Sequence, residues 1–113
     1  MNQTPLSAGR RVSSSPLPVP SAAIDRVQAA PNPFTPRTTV SFEISRAQDV
    51  RVAIYGIDGR LVQVLADENL PAGRHEMAWL GRDRGGRQVS SGTYFVIIKG
   101  REETKRLKVT LLK

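Results

Sequence analysis

The stretch Val50-Arg51-Val52-Ala53-Ile54-Tyr55-Gly56-Ile57-Asp58-Gly59-Arg60 decides the fold class. Val50, Val52 and Ile54 alternate with Arg51 and Ala53. A period of two is the spacing of a half-buried strand with one wet face. The run stops at Gly56-Ile57-Asp58-Gly59, where Asp-Gly supplies the positive φ of a tight hairpin. The same alternation lies on both sides of it. Val40, Phe42 and Ile44 flank Ser41 and Glu43, and Leu107, Val109 and Leu111 alternate with Arg106, Lys108 and Thr110. Tyr94-Phe95-Val96-Ile97-Ile98 is apolar on both faces, which suits a central strand. No window of twelve or more residues carries a helical stripe free of Gly or Pro.

Turn signals at Pro31-Asn32-Pro33, Pro71-Ala72-Gly73, Gly81 to Gly86, Ser91-Gly92 and Lys99-Gly100 cut the chain into short pieces. The predicted strands cover about 24–30, 37–44, 50–56, 60–66, 73–80, 92–99 and 103–112. About seven short strands in this length point to an all-β, immunoglobulin-like antiparallel β-sandwich. The pattern leaves open which strands share a sheet. Ser91-Gly92-Thr93-Tyr94 has the makings of a tyrosine corner.

The 113 residues make one domain. With no Cys, a disulfide framework, a Cys-based zinc site and a thiol nucleophile are all excluded. The longest apolar run, Tyr94 to Ile98, is far short of the roughly 20 residues of a membrane-spanning helix. Residues 1–23 read as a Pro/Ser-rich linker, expected to be disordered or partly polyproline-like, and 24–113 as the sandwich. No apolar stretch follows Arg10 and Arg11, so no secretory signal is expected, and the chain reads as a piece of something longer.

Five motifs in order resemble a known family. Asn32-Pro33-Phe34-Thr35-Pro36-Arg37-Thr38-Thr39-Val40 is similar to the opening of the type IX secretion C-terminal sorting domains and the related flagellar hook-capping (FlgD-like) Ig-like domains. Val52-Ala53-Ile54-Tyr55 with Asp58-Gly59-Arg60 resembles their hairpin, and Ala72-Gly73-Arg74-His75 with Trp79-Leu80-Gly81-Arg82-Asp83 their next segment. Gly86-Arg87-Gln88-Val89-Ser90-Ser91-Gly92-Thr93-Tyr94 and the basic, aliphatic run from Lys105 to Lys113 complete the likeness. Gly56 and Leu80 depart from it, each standing where the family carries Asp or, at the first, Asn. The resemblance implies a module at the end of exported proteins. An outer-membrane translocon would read it, and a sortase-like step would anchor the upstream cargo domain at the cell surface.

Few residues offer chemistry. His75 is the lone imidazole, and Glu76 beside it points to the other face of a strand, so no acid–base pair forms. Asp58 and Asp83 sit in Gly-rich turns and read as turn-capping carboxylates; with Asp67-Glu68-Asn69 they would reach the six to eight oxygens of calcium only if the loops converged. No metal or cofactor is expected. Gly81-Arg82-Asp83-Arg84-Gly85-Gly86 lacks the Gly-Lys-Ser/Thr of a phosphate loop and reads as a hairpin turn. Trp79 reads as core, with an exposed sugar-stacking platform as the rival.

The net charge is +7, and the two linker arginines leave +5 for the sandwich. The denser basic group is Lys99, Arg101, Lys105, Arg106 and Lys108. Aromatic platforms are too scarce for a single-strand nucleic-acid binder, so no nucleic-acid partner is expected. The expected recognition residues are Lys105, Arg106, Lys108 and Lys113, read by the translocon, with strand addition at an exposed edge as the expected mode. Loss of the last five residues is expected to abolish export while only partly destabilising the fold. The rival readings are an Ig-like structural or docking module of an extracellular or flagellar assembly, and a carbohydrate-binding module built on Trp79.

Overall fold

The computed structural model describes residues 23–113, so all but the last residue of the expected linker lies outside them. Seven strands follow one another with no helix among the described residues: β1 (Ile24–Ala30), β2 (Thr38–Ile44), β3 (Gln48–Gly56), β4 (Leu61–Leu70), β5 (Gly73–Trp79), β6 (Gly92–Lys99) and β7 (Thr104–Leu111). The fourth runs on past the expected 66 to Leu70, because it bulges twice, opposite Val52/Ala53 and Ile54/Tyr55, and because β3 begins at Gln48 rather than at 50 and pairs with Leu70 there.

The strands form two antiparallel sheets, β1-β2-β5 and β4-β3-β6-β7. Loop length decides the membership that the alternation left open. Gly56 N donates to Arg60 O (2.9 Å) and Gly59 N to Gly56 O (3.0 Å), a three-residue hairpin loop with Gly59 at φ +84°. So short a connection can only pair β4 with β3. The chain crosses to the other sheet at Pro71-Ala72-Gly73. The fourth strand therefore lies beside the third, whereas a constant-type immunoglobulin domain places it beside the fifth. The loop at Asp83–Arg87 has the same geometry, with Gly86 at φ +82°.

The inward residues of the alternating strands fill one core: Val40, Phe42 and Ile44 from β2, Val50, Val52 and Ile54 from β3, Val96 and Ile98 from β6, and Val109 and Leu111 from β7. An aromatic group sits within it. The ring of Trp79 lies 5.4 Å from that of Phe34 and 5.2 Å, edge-on, from that of Tyr94. Trp79 is only 2% exposed, and its Nε1–H donates to Arg82 O (2.9 Å). The buried position rules out the sugar-stacking platform.

Three of the four sheet edges carry protection against pairing with another chain. β1 bulges between Asp25 and Gln28. Arg84 N donates to Val62 O (2.9 Å) on β4, and Gln63 Nε2 to Asp83 O (3.0 Å). β7 is covered by the segment before β2, as described next.

The last strand and the outer face of the larger sheet

β7 is an edge strand by sheet order, yet much of its backbone edge is occupied. Asn32 Nδ2 donates to Lys108 O (3.0 Å), and Asn32 Oδ1 accepts from Thr110 N (3.0 Å). Phe34 N donates to Thr110 O (2.9 Å), and Leu112 N to Phe34 O (3.0 Å), a short parallel bridge. Thr35 Oγ1 donates to Leu112 O. The Asn32 amide thus acts as one more peptide unit and continues a strand that the flanking prolines cannot supply. Phe34 anchors this plug, since its side chain is 2% exposed. Strand addition, the expected recognition mode, is therefore blocked along the Lys108–Leu112 edge.

The four expected recognition residues do not share one surface. Arg106 and Lys108 are exposed on the outward face of the larger sheet. Lys105 is half-buried on the same side of the strand as Leu107 and Val109, with its Nζ 3.9 Å from Glu103 Oε1. Lys113 lies beyond the strand, where its backbone N donates to Ser91 Oγ (3.1 Å). Lys105 and Lys113 are roughly 25 Å apart along an extended chain. Removing the last five residues would also take out Val109 and Leu111, which are 0% and 3% exposed, together with the bonds to the plug. That deletion attacks the core as well as the surface, so the expectation of partial destabilisation does not hold.

The other singled-out residues are structural. Asp58 Oδ1 accepts from Arg60 N (3.0 Å), and Asp83 Oδ1 accepts from Gly85 N (2.9 Å) and Arg87 N (3.0 Å). Asp67 lies along β4 toward its far end, 3.7 Å from Arg51, and no group of three metal-ligating side chains forms among the described residues. His75 Nε2 bonds Pro71 O (2.7 Å) and holds the crossover turn. Glu76 pairs with Arg74 at 3.0 Å on the opposite face.

The tyrosine corner is present: Tyr94 OH donates to Ser90 O (2.6 Å), four residues back. Tyr94→Phe keeps the ring against Trp79 and removes this bond. It is expected to cost about 1 kcal/mol, read as a fall in Tm of about 4–8 °C by thermal denaturation.

Two features had no clear mark in the sequence. One is the pair of hydrogen bonds from the Asn32 amide to β7, which spans more than seventy residues and whose trace is only a polar residue between two prolines. The other is the outward face of β6, where the sequence shows only a run apolar on both faces that suits a central strand. β6 is central, as expected, but Phe95 and Ile97 are only half-buried, and among the described residues no strand packs over them.

The fold and its motifs define an Ig-like module, and the sequence comparison gives its family. The profile of the FlgD Ig-like domain matches residues 29–103, about two thirds of the chain, and the chain belongs to this family. A comparison with curated proteins finds no match. Among solved structures the chain is similar to PorZ, a surface component of the type IX secretion system of Porphyromonas gingivalis, with TM-score 0.55 and 21% identity, covering 77% of this chain and 11% of that one. It is similar to dimeric latent PorU of the same organism, with TM-score 0.59 and 21% identity, covering 91% and 10%. It also resembles the alkylpurine DNA glycosylase AlkC of Pseudomonas fluorescens, solved with DNA containing an abasic site analogue, with TM-score 0.55 and 20% identity, covering 80% and 30%. At these identities the likeness is one of fold, and the chain spans a third or less of each of these proteins.

Proposed function

We propose that this Ig-like module is a non-catalytic sorting and anchoring signal. In a longer precursor it directs an upstream cargo domain through the outer membrane to the cell surface, where an outer-membrane translocon and sortase-like anchoring machinery read it. The supporting observation is the state of β7. Its backbone edge is occupied by Asn32, Phe34 and Thr35, while Arg106 and Lys108 stand exposed on its outward face. A receptor that uses this strand must read side chains on a folded module. Lys105, on the other side of the strand, and Lys113, beyond its end, would be met separately from that face. The likeness to part of PorZ, a surface component of a type IX secretion system, supports the same reading.

The test is a periplasm-targeted fluorescent reporter in a bacterium with a type IX system, with and without residues 24–113 at its C-terminus. Reporter at the surface or in the medium only when the module is attached supports sorting. Retention with a folded module refutes it. The family match favours a second reading, an Ig-like structural or docking module of an extracellular or flagellar assembly, and retention would leave that one standing.

A further inference from the structure

The outward face of β4-β3-β6-β7 departs from the apolar-in, polar-out rule. Register sets its side chains in rows across the four strands. Val64, Ala53, Ile97 and Arg106 lie side by side, and the next row is Leu61, Tyr55, Phe95 and Lys108. Leu61, Val64, Tyr55, Phe95 and Ile97 are all half-buried with no strand over them among the described residues, and Ile57 at the adjoining hairpin tip is 79% exposed. Single exposed apolar residues need no explanation, but a contiguous patch does.

Charge gives this face a direction. Lys99, Arg106 and Lys108 border the apolar rows on the β6 and β7 side. On the β4 side the carboxylate of Asp67 is engaged by Arg51. The Arg106 guanidinium lies 5.1 Å above the centre of the Phe95 ring, and Arg51 Nη1 donates to Tyr55 OH (2.9 Å). Two cations are thus held against the aromatics they border. Toward the hairpin tip Tyr55, Gly56, Ile57, Phe95, Ile97 and Arg106 line a shallow depression of about 300 Å³.

We infer that this face binds a partner polypeptide segment that carries aliphatic or aromatic side chains beside carboxylates. Its apolar groups cover Tyr55, Phe95 and Ile97, and its carboxylates meet Arg106, Lys108 and Lys99. The inference rests on the sorting reading and deepens it by naming the chemistry the receptor offers. Aliphatic residues dominate the face, whereas a single-stranded nucleic acid needs a series of stacking rings. A second copy of the chain would bring the same excess of positive charge to the contact.

The test is selection of displayed random dodecapeptides on the full chain, followed by titration of the synthetic winners into isotope-labelled protein. Winners rich in Asp or Glu together with Leu, Ile, Phe or Trp are expected, with shifts at the amides of Tyr55, Phe95, Ile97 and Arg106. Their affinity is expected to fall with salt and, in Arg106→Glu, by about tenfold or more. The inference is overturned if no peptide is enriched, if the winners lack carboxylates, or if their shifts map to β1-β2-β5. Self-association through this face, or preferential shifts there with single-stranded DNA, also overturns it. The reporter assay reads the sorting role separately. Surface delivery without acidic-peptide binding sinks this inference alone, and binding without delivery sinks the sorting reading alone.

Discussion

Trp79→Ala is expected to remove a large part of the module's stability. The side chain is 2% exposed, packs between Phe34 and Tyr94, and ties β5 to the Asp83–Arg87 loop through its bond to Arg82 O. Truncating a buried Trp costs about 3–5 kcal/mol, because the cavity it leaves closes only in part. A domain of this size holds about 5–15 kcal/mol in all. Calorimetry should show Tm falling by about 12 °C or more. Trp79→Phe keeps an aromatic ring and loses the indole bond, so a clearly smaller fall is expected. A Tm within a few degrees of the parent for Trp79→Ala would mean that the aromatic group is not the centre of the core.

Phe34→Ala is expected to damage the molecule twice. It removes a buried ring beside Trp79, at a cost of about 3–5 kcal/mol. It also frees the plug, since the ring is what fixes the backbone that bridges Thr110 and Leu112. An opened β7 edge is a template for pairing with other chains. We therefore expect both a drop in denaturant midpoint and concentration-dependent association in sedimentation. Asn32→Ala removes only the two side-chain bonds to Lys108 O and Thr110 N. It should shift the midpoint much less and still raise association. A Phe34→Ala protein that stays monomeric at every concentration would show that the plug does not guard the edge.

Much of this architecture was legible in the sequence because its signals are local. Alternation at Val50, Val52 and Ile54 fixes a face, and Asp58-Gly59 fixes a turn, so strand positions follow within a few residues. The segment Ser91-Gly92-Thr93-Tyr94 marks the corner, although only the structure gives Ser90 O as its acceptor. Sheet membership was not legible, since it depends on whether a connection is a tight hairpin, as at Gly56–Arg60, or a crossover, as at Pro71-Ala72-Gly73. The site fared less well for a similar reason. Alternation correctly sends Arg106 and Lys108 outward and Lys105 to the side of Leu107. It is blind to a segment from another part of the chain, and Asn32 and Phe34 occupy the edge that the strand alone seemed to offer. Nor does an apolar run reveal whether its second face is covered, so the run from Tyr94 to Ile98 marks a central strand and leaves the half-exposure of Phe95 and Ile97 unmarked.

Charge reversal tests the central claim most directly, because Arg106 and Lys108 can be changed without touching the core or the plug. The measurement is the surface fraction of the reporter carrying residues 24–113 with Arg106→Glu and Lys108→Glu together, against the parent module, with Tm measured on both. The account predicts that the Tm stays within a few degrees while the reporter is retained in the periplasm. Delivery equal to the parent's, from a module equally folded, would contradict it.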